Sequence, residues 1–371
     1  MALPANPMES LRRELRQCPE PSGREERTAA RLRDFLARHR PSRLITGLGG
    51  CGLAAVFASP EPGPTVVLRA ELDAVPAPGG AAHLCGHDGH MAALAGLAPW
   101  LAANREFRGR AALLFQPAEE TGRGAASVLA DPRYAALEPD YVFALHNLPG
   151  EPLGRVLLRQ GASNCASEGL AVRLQGAASH AAHPEKGLSP APALARLLQE
   201  LPPLGDEAPA WALVTVVHAR LGRPALGVSP GEAEIMATLR AEDDQALAAL
   251  RARAEALVAG TAEKWGLRWA LEQREPFAAV TNHPRAAAAV RRAAGELGME
   301  VVAPPRPFSW SEDFGLLAER TPGALFCLGA GRETPPLHSA GYEFPDRLLE
   351  PARRLWIRIL QNLLVPAAKK I

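Results

Sequence analysis

The chain alternates two kinds of hydrophobic pattern. Residues 10–17 and 25–39 carry hydrophobic side chains at helical spacing, which predicts two N-terminal amphipathic helices. Later runs are short and mostly apolar, a pattern typical of parallel strands that are buried on both faces. These runs are residues 65–69, 111–115, 141–145 and 324–328. Helical stretches at residues 89–104 and 122–129 would supply the crossover connections that a parallel sheet needs.

Polar side chains follow each of these apolar runs. In an open α/β sheet, ligands bind outside the carboxyl ends of the strands, so these side chains should meet at one edge of the sheet. In chain order they are Glu71 and Asp73, Glu119 and Glu120, His146 and Asn147, and, ten residues beyond the last run, His338. The sequence therefore predicts one site built from dispersed segments.

Between residues 167 and 276 the pattern changes to strand, helix, strand, strand, helix, strand, which is the order of the ferredoxin-like split unit. These elements are predicted at residues 169–174, 190–201, 211–219, 232–240, 244–265 and 268–274. A helix at residues 284–297 then returns the chain to the first pattern. We predict an α/β domain with a parallel-rich sheet and helices on both faces, formed by residues 1–166 and 277–371. An inserted ferredoxin-like α+β domain would span residues 167–276.

Composition narrows the classes of partner. The 371 residues are enough for about two domains, and 41 basic residues balance 40 acidic ones to a net charge of +1. This balance gives no electrostatic reason to expect nucleic acid or a membrane surface as a partner, so we expect a small-molecule substrate. The five cysteines are odd in number and scattered, which favours a reducing compartment. Because residues 1–20 lack an apolar signal core and no run of about 18 apolar residues occurs, we expect a cytoplasmic protein.

The Cys-Gly-His-Asp-Gly-His run at residues 85–90 has the composition of half a metal site. The thiolate of Cys85 and the imidazole of His87 are both good ligands for zinc and other transition metals, and flanking glycines let the backbone bring them to one ion. His83 and His90 are further candidates. A closed structural zinc site usually has two Cys/His pairs, however, and a lone cysteine is more often packed inertly. The run alone therefore leaves metal binding open.

The adjacent carboxylates Glu119 and Glu120 also allow two interpretations. Neighbouring acids are usually a solvated turn. Alternatively, one carboxylate binds a metal while the other takes a proton from a metal-activated water, as hydrolysis requires, and the dication relieves the repulsion between them. Asp73 could be an acidic strand exit or the acceptor of a hydrogen bond from a ligating imidazole, which would fix its tautomer.

Seven blocks, in this order and at approximately this spacing, resemble the metallopeptidase family of aminoacylase and carboxypeptidase G. The amidohydrolase branch of that family, which includes hippurate hydrolase and the plant auxin-conjugate hydrolases, is the most similar. The blocks are Glu-Leu-Asp-Ala-Val-Pro (71–76), Cys-Gly-His-Asp-Gly-His (85–90), Gln-Pro-Ala-Glu-Glu (116–120), His-Asn (146–147), Ser-His-Ala-Ala (179–182), Ser-Glu-Asp-Phe (311–314) and Leu-His (337–338). The match spans nearly the whole chain.

The resemblance implies a zinc exopeptidase-like catalytic domain with two divalent metal ions, which could be zinc, manganese, cobalt or nickel. The implied ligands are Cys85, His87, Glu120, His146 and His338. Glu119 would be the general base. The inserted domain would act as a lid and as the interface of a homodimer, and it would send His180 into a neighbouring active site to stabilise the oxyanion.

Substrate recognition is where the chain departs from the family. Gly227 stands in a Gly-Val-Ser-Pro segment where many relatives have an asparagine that helps to bind substrate. Arg240 remains as a candidate clamp for a substrate carboxylate, and Asn147 as a second substrate-binding candidate. Glu71 replaces the aspartate usual at the start of its block, and we expect the longer side chain to alter a contact behind the ligands rather than ligation itself.

The leading hypothesis is a metal-dependent amidohydrolase that cleaves an N-acyl amino acid or a small peptide-like conjugate, with Glu119 as general base. Three alternatives remain at this point. One is a non-catalytic relative that binds metal and ligand, and another is a peptidase or deacetylase with a different amide substrate. The third is a cysteine or serine hydrolase, although the chain contains no Gly-x-Ser-x-Gly elbow.

Overall fold

The computed structural model describes residues 6–364. Its helices are α1 (Pro7–Arg16), α2 (Glu26–Ala37), α3 (His87–Ala95), α4 (Ala98–Ala103), α5 (Gly124–Ala130), α6 (Pro132–Ala135), α7 (Ala191–Glu200), α8 (Pro203–Asp206), α9 (Asp244–Lys264), α10 (Pro284–Glu296), α11 (Phe314–Arg320) and α12 (Leu349–Leu364). Short 3₁₀ turns lie at Pro184–Lys186 and Asp346–Leu348. Within residues 6–364, no helix combines the length and the apolar character that a membrane crossing requires.

The strands are β1 (Arg43–Leu48), β2 (Gly52–Ala58), β3 (Glu61–Glu71), β4 (Val75–Ala77), β5 (Gly80–Ala82), β6 (Arg108–Gln116), β7 (Tyr141–Pro149), β8 (Val156–Leu157), β9 (Gly161–Asn164), β10 (Ala166–Gln175), β11 (Ser179–His180), β12 (Ala212–Leu221), β13 (Val228–Ser229), β14 (Glu232–Ala241), β15 (Arg268–Phe277), β16 (Val280–Asn282), β17 (Val301–Val302) and β18 (Gly323–Gly331). All four predicted apolar runs lie within strands, namely β3, β6, β7 and β18.

The chain divides into two compact units. Within the described residues, the first unit comprises the chain up to Ser163, Val280–Arg306 and the chain from Glu312 onward. The second comprises Asn164–Ala279 and Pro307–Ser311, where the sequence predicted an insertion at residues 167–276. The short return at Pro307–Ser311 had no signal in the hydrophobic pattern; it is held within the second unit by a hydrogen bond from the Cys165 amide to the Phe308 carbonyl (3.0 Å).

The first unit contains an eight-stranded sheet in the order β1-β2-β6-β3-β7-β18-β8-β17. Its central strands β6, β3, β7 and β18 are parallel neighbours. Alternate residues of β3 point to opposite faces, yet Val66, Val67 and Leu68 are all fully buried. Both faces of the sheet are therefore covered, which is why these strands read as continuous apolar runs.

The predicted helix at residues 89–104 is two helices, α3 and α4. Pro99 lies in the first turn of α4, and a proline in the interior of one continuous helix would remove a backbone hydrogen bond and clash with the preceding turn. The first of the two helices also begins earlier than expected, at His87, directly after Gly86.

The second unit is built on a four-stranded antiparallel sheet in the order β12-β14-β10-β15. Side chains of α7 and α9 share one hydrophobic cluster with this sheet, including Leu197, Val258 and Leu239. Buried and partly exposed positions alternate along β14, as expected for a sheet that is covered on one face.

Candidate active site

The turn before α3 presents Cys85 and His87 to the same space. Gly86 has φ +95°, and a Cβ atom there would lie 2.0 Å from Asn147 Oδ1 and 2.7 Å from the Tyr342 hydroxyl. Only glycine fits, because it tolerates positive φ and has no side chain to clash. The Nδ1 atom of His87 donates a hydrogen bond to the main-chain carbonyl of Asp73 (2.9 Å).

His146, near the end of β7, is held in the same way. Its Nδ1 atom donates to the Asn147 carbonyl (2.8 Å), and its Nε2 atom lies 3.5 Å from the sulfur of Cys85. A carbonyl can only accept, so in both His87 and His146 the neutral imidazole carries its proton on Nδ1 and presents the Nε2 lone pair. This is how metal-ligating histidines are usually oriented.

Glu119 and Glu120 follow β6 and face His87. The Nε2 atom of His87 is 3.9 Å from a carboxylate oxygen of Glu119 and 3.7 Å from one of Glu120. His338 comes from the loop after β18, where its amide bonds the Leu84 carbonyl (2.8 Å) and its Nε2 atom lies 4.0 Å from Glu120.

The five predicted ligands therefore meet. One group of donor atoms within 4.8 Å of one another comes from Cys85, His87 and His146, and a second comes from Cys85, Glu120 and His338. Cys85 belongs to both groups, as a ligand shared between two ions would.

The donor atoms fit a cation chemically as well as by position. The buried Nε2 atom of His87 has no hydrogen-bond partner among the described residues, and it faces carboxylate oxygens that are also acceptors. An imidazole lone pair that points at a carboxylate oxygen is unfavourable unless a cation or a proton lies between the two atoms. Thiolate, imidazole and carboxylate together suit zinc and its neighbours in the transition series.

The pKa values show the same excess of negative charge. Burial raises the pKa of Glu120 to about 7, and burial together with the charges of Glu312 and Glu120 raises that of Glu119 well above its usual value. Burial opposes the imidazolium form of His87, yet the carboxylates of Glu71 and Glu120 raise its pKa to about 9. In the metal-free protein, protons take up the charge that cations would otherwise balance.

A buried ion network lies behind these ligands, and its central arginine was not anticipated from the sequence. The guanidinium of Arg69, on β3, donates to Asp313 (2.6 Å) and Glu312 (3.0 Å) and also pairs with Glu71. Gln116 accepts from Arg69 and donates to Asp313 (2.8 Å). The acceptors of this network, Glu71, Gln116, Glu312 and Asp313, all lie in blocks of the family resemblance. Arg69 was missed, because an isolated arginine inside an apolar strand carries no recognisable pattern.

Glu71 also explains why His90 is not placed as a ligand. The Nδ1 atom of His90 donates to Glu71 (2.7 Å), and its Nε2 atom accepts from the Asn147 amide (3.1 Å). Both ring nitrogens are therefore occupied. Glu71 thus contacts Arg69 and His90, and its ligand atom also lies within 4.8 Å of donor nitrogens of His87 and His90.

Asp73 differs from the prediction in detail. Its carboxylate was expected to accept a hydrogen bond from a ligating imidazole, but it lies 3.7 Å from His87 Nδ1, and the main-chain carbonyl of Asp73 accepts instead. The carboxylate accepts hydrogen bonds from the Glu120 amide (2.9 Å) and the Ser22 hydroxyl (2.7 Å). Asp73 thus orients two ligands by two different atoms.

Asn147 is fully buried, with its side chain against Gly86. Neither polar atom of its side chain has a hydrogen-bond partner among the described residues, and its role toward a substrate stays a prediction.

His180 and Arg240 belong to the second unit. The Nδ1 atom of the exposed His180 accepts from the Ala182 amide (3.0 Å), so its neutral ring carries the proton on Nε2. Arg240 donates to the Ser309 carbonyl (3.1 Å) and the Ser311 hydroxyl (3.3 Å). Their roles toward a substrate stay predictions.

Comparisons with known proteins identify the family to which this chain is similar. Residues 67–362 match the sequence profile of peptidase family M20/M25/M40. The protein named "Putative amidohydrolase YhaA" from Bacillus subtilis is 31% identical over 347 residues, covering 88% of this chain and 86% of that protein. N-acetyl-L-cysteine deacetylase from the same species is 30% identical over 337 residues, covering 86% of this chain and 79% of the deacetylase.

The crystal structure of the Bacillus subtilis YXEP protein, described as a dinuclear metal binding peptidase from the M20 family, has a similar fold. It superposes with a TM-score of 0.80 at 24% identity and covers 96% of this chain and 97% of that one.

Proposed function

Because the chain belongs to peptidase family M20/M25/M40, whose members are hydrolases acting on amide bonds, we propose that it cleaves N-acyl amino acids or small peptide-like conjugates with Glu119 as general base. The observation that carries the proposal is the convergence of five donor residues from four segments, with one further buried carboxylate, that of Glu119, beside them. The names of the relatives support amide substrates, and the N-acetylcysteine deacetylase supports an N-acyl amino acid in particular.

Two divalent ions would be held by Cys85, His87, Glu120, His146 and His338. Zinc, manganese, cobalt and nickel all accept such a donor set. When bound, such ions lower the pKa of a water molecule and polarise a carbonyl oxygen.

Glu119 is suited to move the proton. It takes a proton from the attacking water, whose oxygen forms a bond to the amide carbon, and it delivers that proton to the nitrogen as the carbon–nitrogen bond breaks. The products are a carboxylic acid and an amine. Burial and neighbouring carboxylates raise the pKa of Glu119, so it holds the proton more readily than an exposed glutamate does.

The second unit supplies the remaining roles in this proposal. His180, with its proton on Nε2, would donate to the oxyanion, and Arg240 would bind a substrate carboxylate. We also propose that the protein is a homodimer formed through the second unit, in which His180 of one copy serves the neighbouring site.

The adjacent pair Glu119 and Glu120 gives a matched test. We expect Glu119→Gln to keep its metal and lower kcat by about a hundredfold to ten-thousandfold, as the loss of a general base does. Glu120→Gln should instead lose metal, measured by elemental analysis after dialysis, since it removes a ligand. Retention of most of the wild-type turnover by the Glu119→Gln protein with its metal bound would falsify the assignment of the base. A wild-type protein that is inactive on N-acyl amino acids and peptides after metal reconstitution would contradict the function itself.

A further inference from the structure

The segment between α1 and α2 contacts the turn that carries Glu119 and Glu120. Glu25, in this segment, is fully buried, and its Oε1 atom accepts hydrogen bonds from the amides of Ala118 (2.8 Å) and Gly23 (2.7 Å). On the other side of Glu119, the amide of Glu120 donates to Asp73. The amides immediately before and after Glu119 are therefore both held by carboxylates from outside the turn.

The turn needs such support because of its backbone conformation. Along an extended strand, successive side chains point to opposite faces. Glu119 and Glu120 nevertheless both lie within 4 Å of His87 Nε2, at 3.9 Å and 3.7 Å. These two residues lie in a turn in which the Gly122 amide donates to the Glu119 carbonyl (2.8 Å), and the chain enters that turn through Ala118, which has φ +52°, in the left-handed region that alanine disfavours.

The hydrogen bond from Ala118 to Glu25 opposes that strain. This hydrogen bond lies in the interior, where the alternative is an unsatisfied amide. On the other side of Ala118, its carbonyl accepts from the Gly124 amide (3.0 Å), so the residue is held through both of its main-chain polar groups.

The geometry assigns Glu25 as a positioning residue that acts through the Ala118 amide: its carboxylate holds the left-handed residue through which the chain enters the turn of the proton carrier Glu119 and the ligand Glu120. This inference deepens the proposed function and rests on it for the roles of Glu119 and Glu120. Sequence reasoning missed Glu25, because it lies ninety-three residues from Ala118 along the chain, in a helix-start pattern of ordinary appearance.

Glu20 provides a matched control. It is a buried glutamate of the same segment, and its carboxylate accepts from the amides of Arg27 (3.2 Å) and Thr28 (2.7 Å) at the start of α2. It therefore makes a comparable number of main-chain hydrogen bonds without touching the Ala118 turn. A merely structural role of Glu25 would make the two residues behave alike.

The experiment compares Glu25→Leu, Glu25→Gln and Glu20→Leu in the full chain. We expect Glu25→Leu to lower kcat on an N-acyl amino acid and to weaken zinc binding, measured by competition with a chromophoric chelator, each by about tenfold to a hundredfold, with little change in KM. Glu25→Gln keeps the acceptor oxygen and should recover most of both losses. Glu20→Leu should lower the melting temperature of the metal-free protein as Glu25→Leu does, while kcat and zinc affinity stay at the wild-type level.

Two further variants complete the test. If Glu25→Leu does not fold, Glu25→Asp, whose carboxylate is one methylene too short to reach Ala118, should show the same losses. In the Glu25→Leu background, Ala118→Gly should restore part of the kcat and of the zinc affinity, because glycine adopts positive φ without strain.

The inference is overturned if Glu25→Leu keeps wild-type kcat and zinc affinity, if Glu20→Leu reproduces its losses, or if Ala118→Gly restores nothing. A wild-type protein without metal-dependent hydrolysis would defeat the proposed function, and the zinc affinities would still decide the role of Glu25.

Discussion

The two units of the molecule depart from the usual distribution of polar and apolar side chains in opposite ways. The first unit buries charge: Arg69, Glu71 and Asp313 have no exposed area. The second unit exposes hydrophobic groups: among the described residues, eight of the nine exposed large hydrophobic side chains belong to it, including Val217 and Leu226. Buried charge needs exact partners and serves a preorganised site, whereas the exposed hydrophobic side chains are available for the homodimer contact proposed above.

The two sheets show how the sequence produces this difference. In β3 the residues just before Arg69, Val66, Val67 and Leu68, are apolar and buried on both faces, and the arginine itself is enclosed by protein. In β12, an edge strand, most positions are exposed or partly exposed, and hydrophobic residues such as Leu213 and Val217 still occur there. Changes in the first unit should therefore act on stability and metal binding, and changes on the second unit's surface should act on assembly.

The largest effect is expected from Arg69→Met. The substitution keeps most of the volume but leaves the carboxylates of Glu71, Glu312 and Asp313 buried without their cation, which should cost about 3–5 kcal/mol of unfolding free energy. The control is Arg173→Met, at an exposed position on β10, for which we expect a change within about 0.5 kcal/mol. Urea unfolding measures both. Equal midpoints for the two variants would show that the buried carboxylates do not depend on Arg69.

The second-largest effect is expected from removal of the metal, and the stability of the metal-free protein should depend on pH. In the metal-free protein, burial raises the pKa of Glu120 to about 7 and of Glu312 to about 8, and carboxylates raise that of His87 to about 9. All three pKa values are higher in the folded protein than in the unfolded chain, so these groups stabilise the folded protein fully at low pH. This stabilisation is lost as the pH rises toward about 9. The melting temperature of the metal-free protein should therefore fall between about pH 5 and about pH 9.

Bound zinc should restore the stability that the metal-free protein loses at high pH, because its positive charge takes the place of the protons. At a free concentration about a hundredfold above Kd it should add about 2.7 kcal/mol. At one fixed zinc concentration, the increase in melting temperature should be larger at about pH 8.5 than at about pH 6, because Kd falls as the ligands lose their protons. Differential scanning calorimetry at several pH values tests this. A zinc-induced increase that shrinks as the pH rises would contradict the proton-for-metal exchange.

The smallest effect on stability is expected from Val217→Lys on β12. Val217 is 62% exposed, so the unfolding free energy should change by no more than about 0.5 kcal/mol. If the second unit forms the proposed homodimer, however, the charge should convert the protein to monomers in size-exclusion chromatography with light scattering. The control is Leu153→Lys, an exposed hydrophobic position in the first unit, which should leave assembly unchanged. A monomeric wild-type protein would remove the basis of this prediction.

Much of the fold could be predicted from the sequence because its signals are local. Continuous apolar runs predicted the strands of the parallel-rich sheet. The family resemblance is confirmed by the profile match and by the similarity to YhaA. The ligand residues were recognisable because Cys85 and His87, or Glu119 and Glu120, are neighbours in the chain and form unusual combinations of side chains.

The support for the site could not be predicted in the same way. Arg69 meets Glu312, and Glu25 meets Ala118, only after the chain has folded, so no local period or spacing records these contacts. The hydrogen bond from His87 to the main-chain carbonyl of Asp73 could not be predicted either, because every residue has such a carbonyl and the residue type therefore gives no signal. These supporting contacts depend on backbone geometry and long-range packing, which the pattern of side chains along the sequence does not specify.

The discontinuity of the first unit has a consequence for synthesis on the ribosome. Cys85, Glu120 and His146 are translated before the second unit, whereas Glu312, Asp313 and His338 follow it. When the second unit has just been translated, Glu312 and Asp313 are not yet part of the chain. Arg69 therefore lacks two of the carboxylates that pair with it in the folded protein. The interior of the first unit therefore cannot be completed until the segment that carries Glu312, Asp313 and His338 has left the ribosome.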